Sequence, residues 1–418
     1  MNFEELIYDW NTAGGLEIPS GTRVTLDDET LRDGLQNPSV HDPSIGEKIE
    51  ILHLMEALGI ESVNIGLPGA GPRAFADTEA LAREIVRAKL NIKPNCAART
   101  HAHDIQPIVD ISQKVGIPIE AATFLGSSPI RRLVENWDVD HLQHLTEEAI
   151  GLAVREGLPS MYVTEDTMRT DPATVKRLYS TAIRCGSRAI VLCDTVGHAS
   201  PRGAANLVRF ALEEVVKPSG EKIRVDWHGH NDRGLAIANS LAAVAAGADQ
   251  IHGSAIALGE RVGNTPMELM LVNLRLMGVI DRDLSRLKEY SEKVARATHT
   301  VIPPNYPVVG RDAFRTATGV HAAAIVKAYH KNDTMLADSI YSGVPSHLFG
   351  LQQVIEIGPL SGKSNVVYWL EKRKIAASEE LIEHIFSAAK KSDRVLSDGE
   401  VYDLIESAPA SGKASGPI

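Results

Sequence analysis

The sequence predicts a parallel (β/α)₈ barrel, the TIM-barrel type of α/β fold, followed by a small, mainly helical C-terminal region. Three observations carry that expectation. Eight short runs rich in β-branched residues recur between Arg23 and Ala255, each followed by a polar turn and a stretch of helical periodicity. Their spacing averages about 32 residues, the length of one strand–helix unit, and eight such units over about 250 residues make one barrel. Polar residues able to do chemistry gather where those runs end, the face on which such barrels keep their sites. An open doubly wound sheet is the rival architecture. It would usually place a glycine-rich dinucleotide turn after its first strand, and "DDETLRDG" is not one.

The strand-like runs are "RVTLD" from Arg23, "SVNIG" from Ser62, "KPNCAA" from Lys93, "IPIEAATF" from Ile117, "SMYVTE" from Ser160, "RAIVLCD" from Arg188, "IRVDWHG" from Ile223 and "DQIHGSA" from Asp249. Between them lie helical patterns such as "SIGEKIEILHLMEALG", "DTEALAREIVRAKL", "HLQHLTEEAIGLAVREG" and "ANSLAAVAAG", several closed by a glycine at the C-cap position. Residues 1–22 read as an N-terminal extension and 23–285 as the barrel. Beyond that the pattern changes. "THTVIPPNYPVVGRDAF" is proline-rich and aperiodic, and it leads into a helical "GVHAAAIVKAYHK", a further loop and two more helical segments. The expected layout is a linker with helical subdomains over 286–400 and a tail over 401–418, whose "SAPASGKASGPI" is too poor in apolar side chains to order itself.

Composition excludes several classes of function. A chain of 418 residues, 44% hydrophobic and 23% charged, can bury one large core and a smaller satellite. The net charge of −11, with Lys and Arg dispersed among acids, offers no basic stripe to a nucleic-acid backbone. The N-terminus lacks the charged-then-apolar pattern of a leader, and no run of about 18 apolar residues occurs, so a cytoplasmic location with no membrane span is expected. Cys96, Cys185 and Cys193 form no C-x-x-C pair and read as buried, reduced thiols.

The strand ends bring together Arg32 with Asp33, Asn64, Arg99 with His101, Glu165 with Asp166, Asp194 with Thr195, His228 with His230, and Glu260 to Asn264. His228 and His230 stand at i and i+2 on one strand, so their side chains leave the same face and can converge on one ion. With Asp33 reaching across from the first strand they make a set of two imidazoles and one carboxylate with open positions. That set suits Mn²⁺, Mg²⁺, Zn²⁺ or Fe²⁺ rather than a closed structural zinc.

Six motifs, "DETLRDGLQ", "EDTMRTDP", "LCDTVGHASP", "HGHNDRGLAIANSLAAVAAGADQIHGS", "LGERVGNTPMELML" and "TGVHAAAI", resemble those of the DRE-TIM metallolyase superfamily, in its 2-isopropylmalate, homocitrate and citramalate synthase group. The resemblance runs from about Val24 to about Lys327 and continues more loosely to the C-terminus. It implies a Claisen condensation of acetyl-CoA onto an α-keto acid, followed by thioester hydrolysis. It further implies a divalent metal (Mn, Mg or Zn) on Asp33, His228 and His230, with Asn264 at its rim, and a Lewis-acid role for that ion. Arg32 then stabilises the developing alkoxide, and Thr195 bonds the keto-acid carboxylate. His321, helped by Glu165, removes the methyl proton, a task to which an imidazole pKa is suited. The same resemblance places His321 at the barrel of a partner subunit, in a homodimer.

Departures from the group's pattern bear on the substrate. Leu35 in "RDGLQN" and Asn64 in "NIGLPGAG" stand where these synthases commonly have glutamate, and "RDGLQN" is similar to lyases that cleave 3-hydroxy-3-methylglutaryl-CoA. Those lyases carry a catalytic cysteine in a loop after strand eight; "ALGERVGNTP" has none, which favours a synthase. A biotin-dependent carboxyltransferase would show a lysine at a mid-barrel strand end, and strands four to six end in "TFLG", "TEDT" and "CDTV". A silent homologue would have lost a ligand or Arg32. Apolar Leu35, Leu67 and Phe124 near the keto acid favour 2-oxoisovalerate, giving 2-isopropylmalate. Arg99 and His101, as substrate-binding residues, could take a second carboxylate, which would favour 2-oxoglutarate and a homocitrate synthase, or could equally face the CoA; pyruvate and a citramalate synthase is the other alternative.

Overall fold

Parallel strands buried on both faces need near-continuous apolar runs, and the eight runs form them. They are β1 (Thr25–Asp28), β2 (Ser62–Asn64), β3 (Lys93–Arg99), β4 (Glu120–Gly126), β5 (Ser160–Glu165), β6 (Ala189–Asp194), β7 (Arg224–Gly229) and β8 (Gln250–Gly253). Each pairs in parallel with the next, and β8 pairs with β1 to close the barrel. The computed structural model describes residues 7–12 and 18–408. Parts of the expected N-terminal extension (1–6 and 13–17) and of the expected tail (409–418) lie outside the described residues.

Helices return the chain between strands, and their starts are written in the sequence. Ser44 and Glu47 form a reciprocal capping box at the helix Ile45–Ala57. Asp138, Asp171 and Ser200 cap three later helices through their side-chain oxygens. Register then sets the site: Asp27 stands opposite His252, and His252 opposite His228. These three occupy one tier across β1, β8 and β7. Glu29 and His230 lie two residues further along their segments, on the same sides.

The chain divides into two compact units, the barrel unit Asp9–Val301 and a second unit made of the segment from Ile302 on together with the described residues up to Tyr8. The barrel unit therefore extends past residue 285, where the sequence placed its end. The helix Leu287–Ala297, read as linker, buries Leu287, Tyr290 and Val294, and the Tyr290 hydroxyl bonds Asp28 and Thr30. The second unit is mainly helical, as expected, with a two-stranded parallel sheet of β9 (Arg315–Thr316) and β10 (Val354–Ile355). One of its cores is formed by Ile357, Val366, Trp369, Leu370, Leu381 and Ile385. Residues 401–406, read as the start of the tail, complete the helix Asp398–Glu406, which is capped by Ser397 and Glu400. Among the described residues no helix is long and apolar enough to cross a membrane.

Candidate active site

The turn leaving β1 folds back on itself, with the backbone N–H groups of Arg32 and Gly34 both donating to the Glu29 carbonyl. That turn sets Arg32 and Asp33 at the C-terminal mouth of the barrel. Asp33 Oδ2 lies 3.3 Å from His228 Nε2 and 3.6 Å from His230 Nε2, and the two imidazole nitrogens are 3.4 Å apart. All three residues are buried. Across from them, the loop after β8 doubles back and delivers Asn264, whose backbone bridges that of His230. Glycine is required there: a Cβ on Gly263, at φ +85°, would sit 1.6 Å from the Ala257 carbonyl oxygen.

Electrostatics put these groups in the states a cation needs. Burial would raise the Asp33 carboxyl, but Arg32, His228 and His230 outweigh it and hold it well below the usual carboxylate range. Burial, with His228 alongside, pushes His230 down to about 4, so its ring is neutral at pH 7. Asn264 Nδ2 donates to the Leu258 carbonyl at 3.1 Å, while its Oδ1 is buried without a hydrogen-bond partner. An ionised carboxylate, a neutral imidazole and a spare amide oxygen fit a divalent cation of the Mn²⁺, Mg²⁺ or Zn²⁺ type. A second group of possible ligands, Glu29, His228 and His252, shares His228 with the first.

A pocket of about 370 Å³ opens beside this centre. Arg32, Asn64, Glu165 and Thr195 line it together with Asp33, His228 and His230, so the structure gathers seven of the residues singled out from the sequence. Arg32 donates from Nε to Glu29 Oε2 at 2.9 Å, and its Nη1 stands 3.8 Å from Asp33 Oδ2. Glu165 is raised by burial, against the pull of Arg131 and Arg32. The Thr195 hydroxyl accepts from the Asp166 N–H at 2.9 Å. Leu67 and Phe124 form part of the wall, with Met161, Val163 and Val191; Leu35 does not reach it.

Two candidates turn away. Arg99 is 67% exposed and clamps Asp104 through Nε and Nη2 at 2.6 and 2.8 Å, because Asp104 lies in the first turn of the following helix. His101 caps that helix, its Nδ1 accepting from the His103 N–H, and is exposed. Neither lines the pocket. His321 belongs to the second unit, where it is exposed and stacks on Tyr341 at 4.0 Å between ring centroids.

Residues 23–294 match the family model described as HMGL-like. The chain belongs to the HMGL-like family. That match and the names of its relatives support the DRE-TIM metallolyase group. The probable 2-isopropylmalate synthase of Methanopyrus kandleri is 31% identical over 374 residues, covering 88% of this chain and 70% of that protein. The homocitrate synthase AksA of Methanothermobacter thermautotrophicus is 29% identical over 416 residues, 95% of this chain and 96% of that one. Among solved structures, an HMG-CoA lyase from Acinetobacter baumannii superposes with a TM-score of 0.57 at 20% identity, over 69% of this chain and 95% of its own, and shares the family fold.

Sequence reasoning missed the floor of this pocket. Glu29, Asp27, His252 and Asp226 are all buried there, and Glu29 and His252 line the pocket. For Asp226 the signal was available in the alternation along its strand, where it shares the parity of His228 and His230; His252 is set beside them by its register pairing with His228, which its own strand does not carry. Burial would lower His252, but Asp27, Asp226 and Glu29 raise it to about 10. Burial would raise Glu29, yet Arg32 and His252 hold it at about 2.

Proposed function

We propose that this protein is a metal-dependent acyltransferase of the 2-isopropylmalate synthase type, joining the methyl carbon of acetyl-CoA to the keto carbon of 2-oxoisovalerate. The observation that carries this reading is the pocket itself. Arg32 stands beside Asp33, His228 and His230 at its polar end, while Leu67, Phe124, Met161, Val163 and Val191 make the rest of the wall apolar. The guanidinium cations among its lining residues are already engaged, Arg32 with Glu29 and Arg261 with Asp232. With Arg99 bound to Asp104, the described residues lining the pocket offer no second spare guanidinium for the far carboxylate of a dicarboxylic acceptor. A branched aliphatic tail gains about 0.8 kcal/mol per buried methylene there, whereas an unpartnered carboxylate costs several kcal/mol.

Asp33, His228 and His230, with Asn264 alongside, would hold the divalent ion, which when bound supplies Lewis acidity to the keto group and a chelating grip on the acid. The rest is done by the chain. Arg32 presents a fixed, planar cation to the oxygen on which charge develops. The Thr195 hydroxyl, which lines the pocket, would bond the acid's carboxylate. Glu165 lines the same pocket, its carboxyl raised by burial, and would assist the proton transfer. His321 serves as the base for the acetyl methyl group, reaching the barrel of a second subunit in a homodimer. Cys193 lines the pocket, but burial pushes its thiol well up, which argues against thiolate chemistry of the lyase kind.

The relatives support this chemistry: one is named a probable 2-isopropylmalate synthase, and the lyase structure is described in complex with coenzyme A and 3-methylmalate. The test is release of free thiol from acetyl-CoA against pyruvate, 2-oxoisovalerate, oxaloacetate and 2-oxoglutarate. The highest kcat/KM is expected for 2-oxoisovalerate. A higher value for 2-oxoglutarate would replace it with the homocitrate reading, which end-to-end similarity to AksA favours. Mixing His321→Ala with His230→Ala chains should restore activity in hybrid dimers; no restoration would place His321 in its own subunit's site.

A further inference from the structure

Beneath the metal centre lies a line of buried charges that the condensation as described does not use. His252 is 3% exposed. Its Nδ1 is 3.4 Å from Glu29 Oε1, and its Nε2 is 3.4 Å from Asp226 Oδ2 and 3.7 Å from Asp27 Oδ2. The ring is thus held from both sides, by a hydrogen bond between Nε2 and Asp226 and by an ion-pair contact between Nδ1 and Glu29. The far end is anchored in turn, since Arg224 holds Asp226 at 2.9 Å and reaches Glu120, and Asn95 donates to Asp27 at 2.8 Å.

Glu29 is the near end. Its Oε1 faces His252, with Asn64 Nδ2 at 3.5 Å, and its Oε2 accepts from both Nε and Nη2 of Arg32. Asp226, His252, Glu29 and Arg32 thus form one continuous chain of charge-assisted contacts from the barrel floor to its mouth. We propose that His252 is a positioning residue: it fixes one oxygen of Glu29 so that the other aims the Arg32 guanidinium at the reacting carbonyl. A glutamate side chain has three rotatable bonds, and a guanidinium bound at a single carboxylate oxygen inherits whatever freedom that carboxylate has. Pinning Oε1 removes it, and leaves Nη1 of Arg32 facing the metal centre, 3.8 Å from Asp33 Oδ2.

The catalytic meaning of this clamp rests on the condensation reading; its geometry does not, and the test separates the two. His252→Gln should lower kcat about 10- to 100-fold, with the KM for the 2-oxo acid within twofold and the metal content unchanged. Because the effect travels through Glu29, adding His252→Gln to Glu29→Gln should change kcat by less than about twofold. Multiplying penalties in the double variant would overturn the proposal. Independently of turnover, the Arg32 Nε–H resonance, identified by its absence from Arg32→Lys, should be protected from exchange with water in the parent and exchange freely in His252→Gln. Unchanged protection would overturn the clamp whatever the reaction. Loss of protection in a protein that releases no thiol from acetyl-CoA would uphold the clamp and sink the condensation. If His252→Gln does not fold, Asp226→Asn, which frees the far side of the ring, should give the same exchange in weaker form, and unchanged protection there would count against the proposal.

Discussion

Replacing Arg32 by lysine separates charge from geometry at the centre of the site. Arg32 spends Nε and Nη2 on one oxygen of Glu29 and still turns Nη1 toward Asp33 at 3.8 Å. A lysine ammonium is a single point of charge, and it cannot satisfy Glu29 and face the reacting oxygen from one position. The buried charge balance survives, so the fold should too. What goes is one pre-aimed donor to a developing alkoxide, a loss of about 3 kcal/mol, or about 10²-fold in kcat. The assay is thiol release from acetyl-CoA at saturating 2-oxo acid, with KM and metal content measured on the same preparation. A kcat within twofold of the parent would refute the role. A raised KM with unchanged kcat would make Arg32 a uniform binder of substrate rather than a partner of the transition state.

Three further outcomes follow from the geometry. His230→Ala removes one of three converging ligands and should abolish stoichiometric metal together with turnover; full occupancy by elemental analysis would dissolve the site. Gly263→Ala forces a methyl group into the Ala257 carbonyl and must displace Asn264, so kcat should fall more than about tenfold, and a normal rate would show that Asn264 is dispensable. Asp28 is raised by burial to about 6, above its unfolded value of 3.8, so the folded state holds that proton more tightly. Its contribution to stability is greatest below pH 3.8 and is lost as pH rises through 6. The Tm of Asp28→Asn relative to the parent should accordingly be more favourable at pH 8 than at pH 4, and an equal difference at both would contradict the shift.

The barrel was legible because buried parallel strands read as uninterrupted apolar runs at a regular spacing, and all eight runs became strands. His228 and His230 were legible because a period of two is a property of one strand. His252 and Glu29 were not singled out, since their meaning comes from register among β7, β8 and β1, which none of those strands carries alone. The direction of Arg99 and His101 was left open for a related reason: a strand-end position does not fix the direction of a side chain, and Asp104, one short turn on, captures the guanidinium. The boundary drawn at 285 fell short because counting strands stops at the eighth unit. The helix Leu287–Ala297 joins the barrel unit through Tyr290, whose hydroxyl finds buried partners on Asp28 and Thr30.

The formation of a carbon–carbon bond is the central claim, and acetyl-CoA labelled with ¹³C at its methyl carbon tests it most directly. Incubated with metal-replete protein and 2-oxoisovalerate, it should yield free thiol and, in equal amount, a hydroxy diacid carrying the label in a methylene next to a quaternary carbon. Thiol release that leaves the label in acetate, or cleavage of 3-hydroxy-3-methylglutaryl-CoA in place of any condensation, would contradict it.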